Sequence, residues 1–301
     1  MAREKGRPAW RRLAALVLAV VVACLAAFVL LGHHEPDATA LAALESDETV
    51  QVEQVADGYA FVGPDEDPDN TYGLVFYPGA KVDERAYAPL LHQLAAKGWV
   101  CVDVSMPLDL AILDEDAATK AMAECPQVEH WYVAGHSLGG AMAADFAADH
   151  ADELDGLVLL AAYPTKDLSD SGLEVLSAYG TRDGVLNRER YHEGRQNLPR
   201  DAHELVILGG NHAQFGSYGT QLGDGEATIG AYWQVEEAVR FIDGAKRDGP
   251  AGGGVVGFVA GSGVIGRPGA VGGTVAAGGT VAASCTVAAS CTVAGAGGSA
   301  R

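Results

Sequence analysis

An α/β fold with a mostly parallel central sheet and helices on both faces is what this 301-residue sequence predicts, on three observations. Short apolar runs alternate with amphipathic stretches from residue 50 to residue 246, the pattern of strands joined by crossover helices. Several runs are continuously apolar, as strands buried on both faces must be. Three of them end in glycine-containing turns that carry Ser137, Asp183 and His212, and functional groups of open parallel sheets gather where strands end.

Taken in order, residues 50–55 and 59–62 read as an opening pair of strands joined through Asp57-Gly58, a hairpin signal. Residues 72–77 form a continuous apolar strand ending at Pro78-Gly79. Tyr87, Leu90, Leu91 and Leu94 then recur at helical spacing, with Asp83 as N-cap and Gly98 just past the end. A strand at 99–104 precedes a helical stretch at 108–124, and a strand at 128–134 precedes a helix at 138–150. Strands follow at 156–162, 173–179 and 203–208, and Tyr232, Val235, Val239 and Ile242 mark a closing amphipathic helix. Only about ten residues separate the strands ending at 162 and starting at 173, so no large lid fits there, and an open site suits soluble or extended substrates.

The flanks differ in kind from this body. Residues 1–12 carry five Lys/Arg against one acid, and residues 13–31 hold 19 consecutive residues without a charged side chain. That run is long enough to cross a bilayer as a helix with its basic side in the cytoplasm, which puts the body outside the membrane. An uncleaved anchor is the expectation; the alternative is a secreted chain cut at Ala38-Thr39-Ala40, the nearby small-x-small sequence. Cys24 resembles a lipoprotein cleavage box, but the sequence stays apolar after it. Residues 32–49 read as a linker, 50–246 as the catalytic domain and 247–301 as a low-complexity tail. Sixteen of the 39 glycines fall in residues 249–301, where Thr-Val-Ala recurs at Thr274, Thr280, Thr286 and Thr292. Four such units are too few to bury a stacked core. Residues 261–266 match a dinucleotide fingerprint, but Arg267-Pro268 follows where a helix is needed, so the match is fortuitous.

Residues 33–248 hold 13 basic and 39 acidic side chains, a net −26. Such a field repels phosphate backbones and argues against nucleic-acid binding. Cys101 and Cys125 are the only cysteines of the body, and Cys101 lies inside an apolar strand as a small core residue. No Cys/His spacing suggests zinc, and neither a metal nor an organic cofactor is expected.

The chemistry lies in three loops. Gly135-His136-Ser137-Leu138-Gly139 is a GxSxG sequence between a buried strand and a helix, which places Ser137 on a tight turn with glycines relieving the crowding. The helix N-terminus aims free N–H groups at an anion formed there. A serine hydroxyl needs a base held by an acid. Asp183 follows a strand in Gly-Thr-Arg-Asp-Gly, and His212 follows the last strand in Gly-Gly-Asn-His-Ala-Gln-Phe-Gly. Asp167 and Asp170 compete for the acid role from a looser segment. Met106, Leu108, Leu110, Phe215 and Tyr218 lie near strand ends as candidate apolar pocket walls, and Lys81 as a contact for an anionic group.

These three motifs, with Tyr-Pro-Gly-Ala-Lys-Val-Asp at residues 77–83, resemble the α/β-hydrolase superfamily, most of all its compact branch of dienelactone hydrolases and small bacterial carboxylesterases. The likeness covers about residues 50–246. It implies an ester-cleaving triad of Ser137, Asp183 and His212, in that chain order. It also implies an oxyanion hole from the backbone N–H of Ala80, where many relatives carry His-Gly in place of Pro78-Gly79, and of Leu138. Dienelactone hydrolases use a cysteine nucleophile, so their substrate does not transfer. The expected substrate is a small-molecule ester; the rival reading is a non-catalytic binding or cell-envelope module on the same scaffold.

Overall fold

Eight strands form one sheet in the order β1-β2-β4-β3-β5-β6-β7-β8. They are β1 (Gln51–Val55), β2 (Gly58–Val62), β3 (Tyr72–Tyr77), β4 (Trp99–Val104), β5 (His130–His136), β6 (Gly156–Leu160), β7 (Glu174–Gly180) and β8 (His203–Ile207). The computed structural model describes residues 10–11, 13–20, 32–64 and 71–248. β2 runs antiparallel to β1 and β4, and every pairing from β4 to β8 is parallel. β3, β4 and β6 are buried along their whole length, which accounts for their unbroken apolar sequences.

The helices are α1 (Ala38–Ala42), α2 (Ala88–Ala95), α3 (Ala117–Glu124), α4 (Leu138–Asp149), α5 (Arg188–Gly194) and α6 (Ala231–Asp248). Side chains alternate along β3, so Leu74 and Phe76 join one core layer with residues of α2 and α6. Val75 and Tyr77 join the other, with residues of α3 and α4. The sheet therefore has helices on both faces, as its sequence predicts.

The stretch expected as one helix over 108–124 divides. Short 3-10 turns occupy Pro107–Asp109 and Ala111–Leu113, and the α-helix starts at Ala117. Leu108 and Asp109 both have positive φ, 55° and 53°, which no helix accommodates. Two long-range bonds favour the broken path: Lys81 N–H donates to the Asp109 carbonyl at 2.7 Å, and the Tyr77 hydroxyl donates to the Glu115 carbonyl at 2.6 Å. Residues 32–49 fold onto the body, with Ala40 and Val50 fully buried. Cys101 and Cys125 are buried and are not joined in a disulfide.

Of the apolar run 13–31, residues 13–20 are helical and exposed, and 21–31 lie outside the described residues. Among the described residues no helix is long and apolar enough to cross a membrane. The chain divides into a unit ending at Val259 and a second from Ala260 to Arg301; the tail's repeats and its fingerprint-like glycines lie outside the described residues.

Candidate active site

Register brings two of the predicted loops side by side. β3 and β5 are parallel neighbours with Tyr77 opposite Gly135, so the turn carrying Ala80 and the turn carrying Ser137 leave the sheet at the same edge. Ser137 sits between β5 and α4 with φ 55° and ψ −120°, a conformation that costs about 1–3 kcal/mol for a non-glycine residue. Packing holds it there. Ser137 N–H donates to the Leu160 carbonyl at 3.0 Å, and Ala141 N–H returns to the Ser137 carbonyl at 3.2 Å.

The flanking glycines are steric requirements. A Cβ on Gly135 would lie 2.5 Å from the Gly139 carbonyl carbon, and one on Gly139 would lie 2.2 Å from the Tyr77 carbonyl oxygen. On Gly140 it would meet the Ala162 Cβ at 2.5 Å. Helix α4 thus approaches the ends of β3 and β6 more closely than any side chain allows.

β7 and β8 supply the second half of the site at the same sheet edge. Asp183 and His212 follow their ends, and His212 Nδ1 lies 2.9 Å from Asp183 Oδ2 with both side chains buried. Asp183 Oδ1 accepts from Val185 and Leu186 N–H at 2.9 and 2.8 Å. Burial alone would raise the Asp183 pKa; the hydrogen bond and charge of His212 and the two backbone donors outweigh it and hold the carboxyl below its usual range. An ionised carboxylate only accepts, so Nδ1 of His212 carries the hydrogen of this bond, which leaves Nε2 as the ring's second nitrogen. That Nε2 is buried and has no hydrogen-bond partner among the described residues, Ser137 included.

His136 joins the two halves. Its ring centroid lies 4.5 Å from that of His212 and 5.7 Å from that of Phe215. Tyr87 hydroxyl accepts from Gly79 N–H at 3.0 Å and lies 2.8 Å from His136 Nδ1. Burial, with the neighbouring His212 second, pushes the His136 pKa well below its usual value, and the ring stands neutral.

Ala80 is exposed at the turn. The amides around it are committed: Gly79 to Tyr87, Lys81 to Asp109, and Val82 to the Gly79 carbonyl. Lys81 itself has φ 60°. Leu138 opens α4, where first-turn N–H groups lack helical partners. Phe215 and Tyr218 are buried in one core layer and Met106 in the other. Leu108 is exposed and Leu110 half-buried.

Two contributors escaped sequence reasoning. Asp224 accepts N–H groups from Gly184 at 3.0 Å, His212 at 3.2 Å and Ala213 at 2.9 Å. Gln234 of α6 accepts from Asn211 N–H at 2.9 Å and donates to the Asn211 carbonyl at 2.7 Å. Neither carries a motif; their role follows only from chain geometry.

No curated protein matches the chain. Solved structures do: the predicted CIB-like hydrolase from Thermoplasma acidophilum is 14% identical, with a TM-score of 0.47 over 65% of this chain and 98% of its own. TT1662 from Thermus thermophilus is 13% identical, with the same score and coverage. Est1E from Butyrivibrio proteoclasticus is 15% identical, at 0.47 over 67% and 100%. Likenesses this distant carry no argument about activity. The model of the alpha/beta hydrolase family matches residues 73–236, over half the chain and across all three loops. This chain belongs to the alpha/beta hydrolase family.

Proposed function

We propose that this hydrolase is a serine hydrolase cleaving a carboxylic ester or related acyl bond, with Ser137 as nucleophile, His212 as base and Asp183 as the acid that orients it. The observation that carries the reading is the buried Asp183–His212 pair at 2.9 Å, whose other imidazole nitrogen has no hydrogen-bond partner among the described residues, in the fold that presents Ser137 on a strained turn.

Ser137 attacks the acyl carbon as Nε2 of His212 takes its proton, and Asp183 stabilises the imidazolium. The N–H groups of Ala80 and Leu138 receive the tetrahedral oxygen, each worth about 3 kcal/mol when aligned with it. His212 returns the proton to the leaving oxygen; a water, deprotonated by the same imidazole, then cleaves the acyl-enzyme. The route requires no metal or organic cofactor. Lys81, Leu108 and Tyr218 are proposed to meet the substrate.

The same reading makes the protein membrane-anchored, with its body extracytoplasmic. It is supported by the 19-residue uncharged run and the basic residues before it. Turnover of a series of esters of increasing acyl length tests the activity: Ser137→Ala abolishes it with the circular dichroism spectrum retained, and residual turnover at the wild-type rate contradicts the assignment. Retention with membranes after a high-salt wash tests the anchor.

A further inference from the structure

Residues 33–37 tie together three loops of the site. His34 N–H donates to the Lys81 carbonyl at 2.8 Å and its carbonyl accepts from Asp83 N–H at 3.1 Å, a parallel bridge opposite Val82. The His34 ring lies 5.1 Å from that of Tyr218. Asp37 N–H donates to the Ser217 carbonyl at 2.7 Å. His33 Nδ1 lies 3.0 Å from Asp109 Oδ2, and Asp109 in turn accepts from Lys81 N–H through its carbonyl. One short segment therefore braces the turn that carries Ala80, the loop after β4 and the loop after His212.

The same segment runs directly into the body. The Asp37 carboxylate accepts from Thr39 and Ala40 N–H at 2.8 and 3.0 Å, capping α1. Ala40 is fully buried. The small-x-small sequence Ala38-Thr39-Ala40 thus lies inside this folded segment, downstream of every bracing residue. A chain beginning at Leu41 would lack the cap, the bridge to residues 81–83, the tie to Ser217 and the His33–Asp109 pair together.

We infer that residues 33–37 are a positioning arm of the active site, and that the mature protein keeps residues 33–40 rather than being cut after Ala40. The inference rests on the serine-hydrolase reading for the word active. The arm holds the Ala80 turn against the loop of His212, and acts through them rather than on substrate.

The full-length chain, expressed in an exporting host, tests this by intact mass and by turnover per site titrated with a fluorophosphonate. Wild type and Ala38→Gln, which spoils the cleavage sequence at an exposed position, are expected to start at the same residue with residues 33–40 included, their masses differing only by the substitution itself, and with equal turnover. His34→Pro removes the donor to Lys81. It is expected to lower kcat per titrated site about tenfold with KM little changed, and to weaken a boronic acid that mimics the tetrahedral adduct by the same factor. A mature chain starting at Leu41 with undiminished turnover overturns the inference. So does a His34→Pro protein with unchanged kcat and boronic acid affinity. Failure of the wild type to titrate at Ser137 would instead strike the serine-hydrolase reading itself.

Discussion

The carboxylate of Asp224 receives the backbone N–H of His212 at 3.2 Å. Its contacts with Ala213 N–H at 2.9 Å and Gly184 N–H at 3.0 Å make one side chain the clasp between the loop of the proposed base and the turn of the proposed acid. Asp224→Ala is expected to lower kcat between about 10- and 100-fold, since displacements near 1 Å at a reacting group have effects of that size. Asp224→Asn keeps an acceptor oxygen and should fall between. Steady-state kinetics normalised to titrated sites decides it; a wild-type kcat in the alanine variant means the loops hold themselves.

Tyr87 bridges Gly79 N–H and His136 Nδ1 through one hydroxyl. Tyr87→Phe leaves two buried polar groups, Gly79 N–H and His136 Nδ1, without this partner, and the expected loss is about 1–3 kcal/mol of stability, read from denaturant unfolding. Activity should fall too, because the Ala80 turn loses its link to the Ser137 turn. Full stability would show that this bridge contributes nothing net.

Asp103 lies one residue before the end of β4, and both its carboxylate oxygens are buried with no hydrogen-bond partner among the described residues. Burial, then the nearby Glu84 and Asp83, raises its pKa well above the usual value. The native state therefore holds a proton that the unfolded chain releases above about pH 3.9, so this group's contribution to stability declines as pH rises through that value and beyond, by at most about 1.4 kcal/mol per pH unit. Asp103→Asn is expected to stabilise the protein at neutral pH, with the gain vanishing near pH 4. Unfolding midpoints at pH 4 and 8 give the answer, and an equal difference at both would contradict a titrating Asp103.

Gly139→Ala puts a methyl 2.2 Å from the Tyr77 carbonyl oxygen and 2.3 Å from that of Pro78. Both are backbone atoms, so the helix must retreat from the sheet. A loss of about 3 kcal/mol or more is expected, together with loss of turnover, because the elbow separates from the Ala80 turn. An alanine variant that unfolds like the wild type would show that α4 can shift freely.

The strands and the three loop motifs were legible in the sequence because each rests on local chemistry. Continuous apolar runs can only be buried strands here, and the glycines about Ser137 answer contacts that a Cβ at 2.2–2.5 Å would forbid. Boundaries moved by one or two residues where a strand carries past its apolar core, as β5 does through Gly135 and His136. The missed features are all set by contacts distant in sequence. The helical spacing in 108–124 yields to bonds from Lys81 and Tyr77. α5 is polar and short, and Tyr191 holds it through Ser177 and Glu204, 2.9 and 2.8 Å away. Asp224 sits in a glycine-rich loop that gives no periodic signal, and residues 33–37 look like linker because their partners, Lys81, Asp83, Asp109 and Ser217, are distant in sequence.

Covalent labelling tests the central claim most directly. Wild-type protein treated with a fluorophosphonate and digested should carry a single adduct, on the peptide containing Ser137, and His212→Ala should slow that labelling by about three decades or more while leaving the fold intact. Folded wild-type protein that stays unlabelled, or that labels at another residue, or a His212→Ala variant that labels at the wild-type rate, contradicts the account.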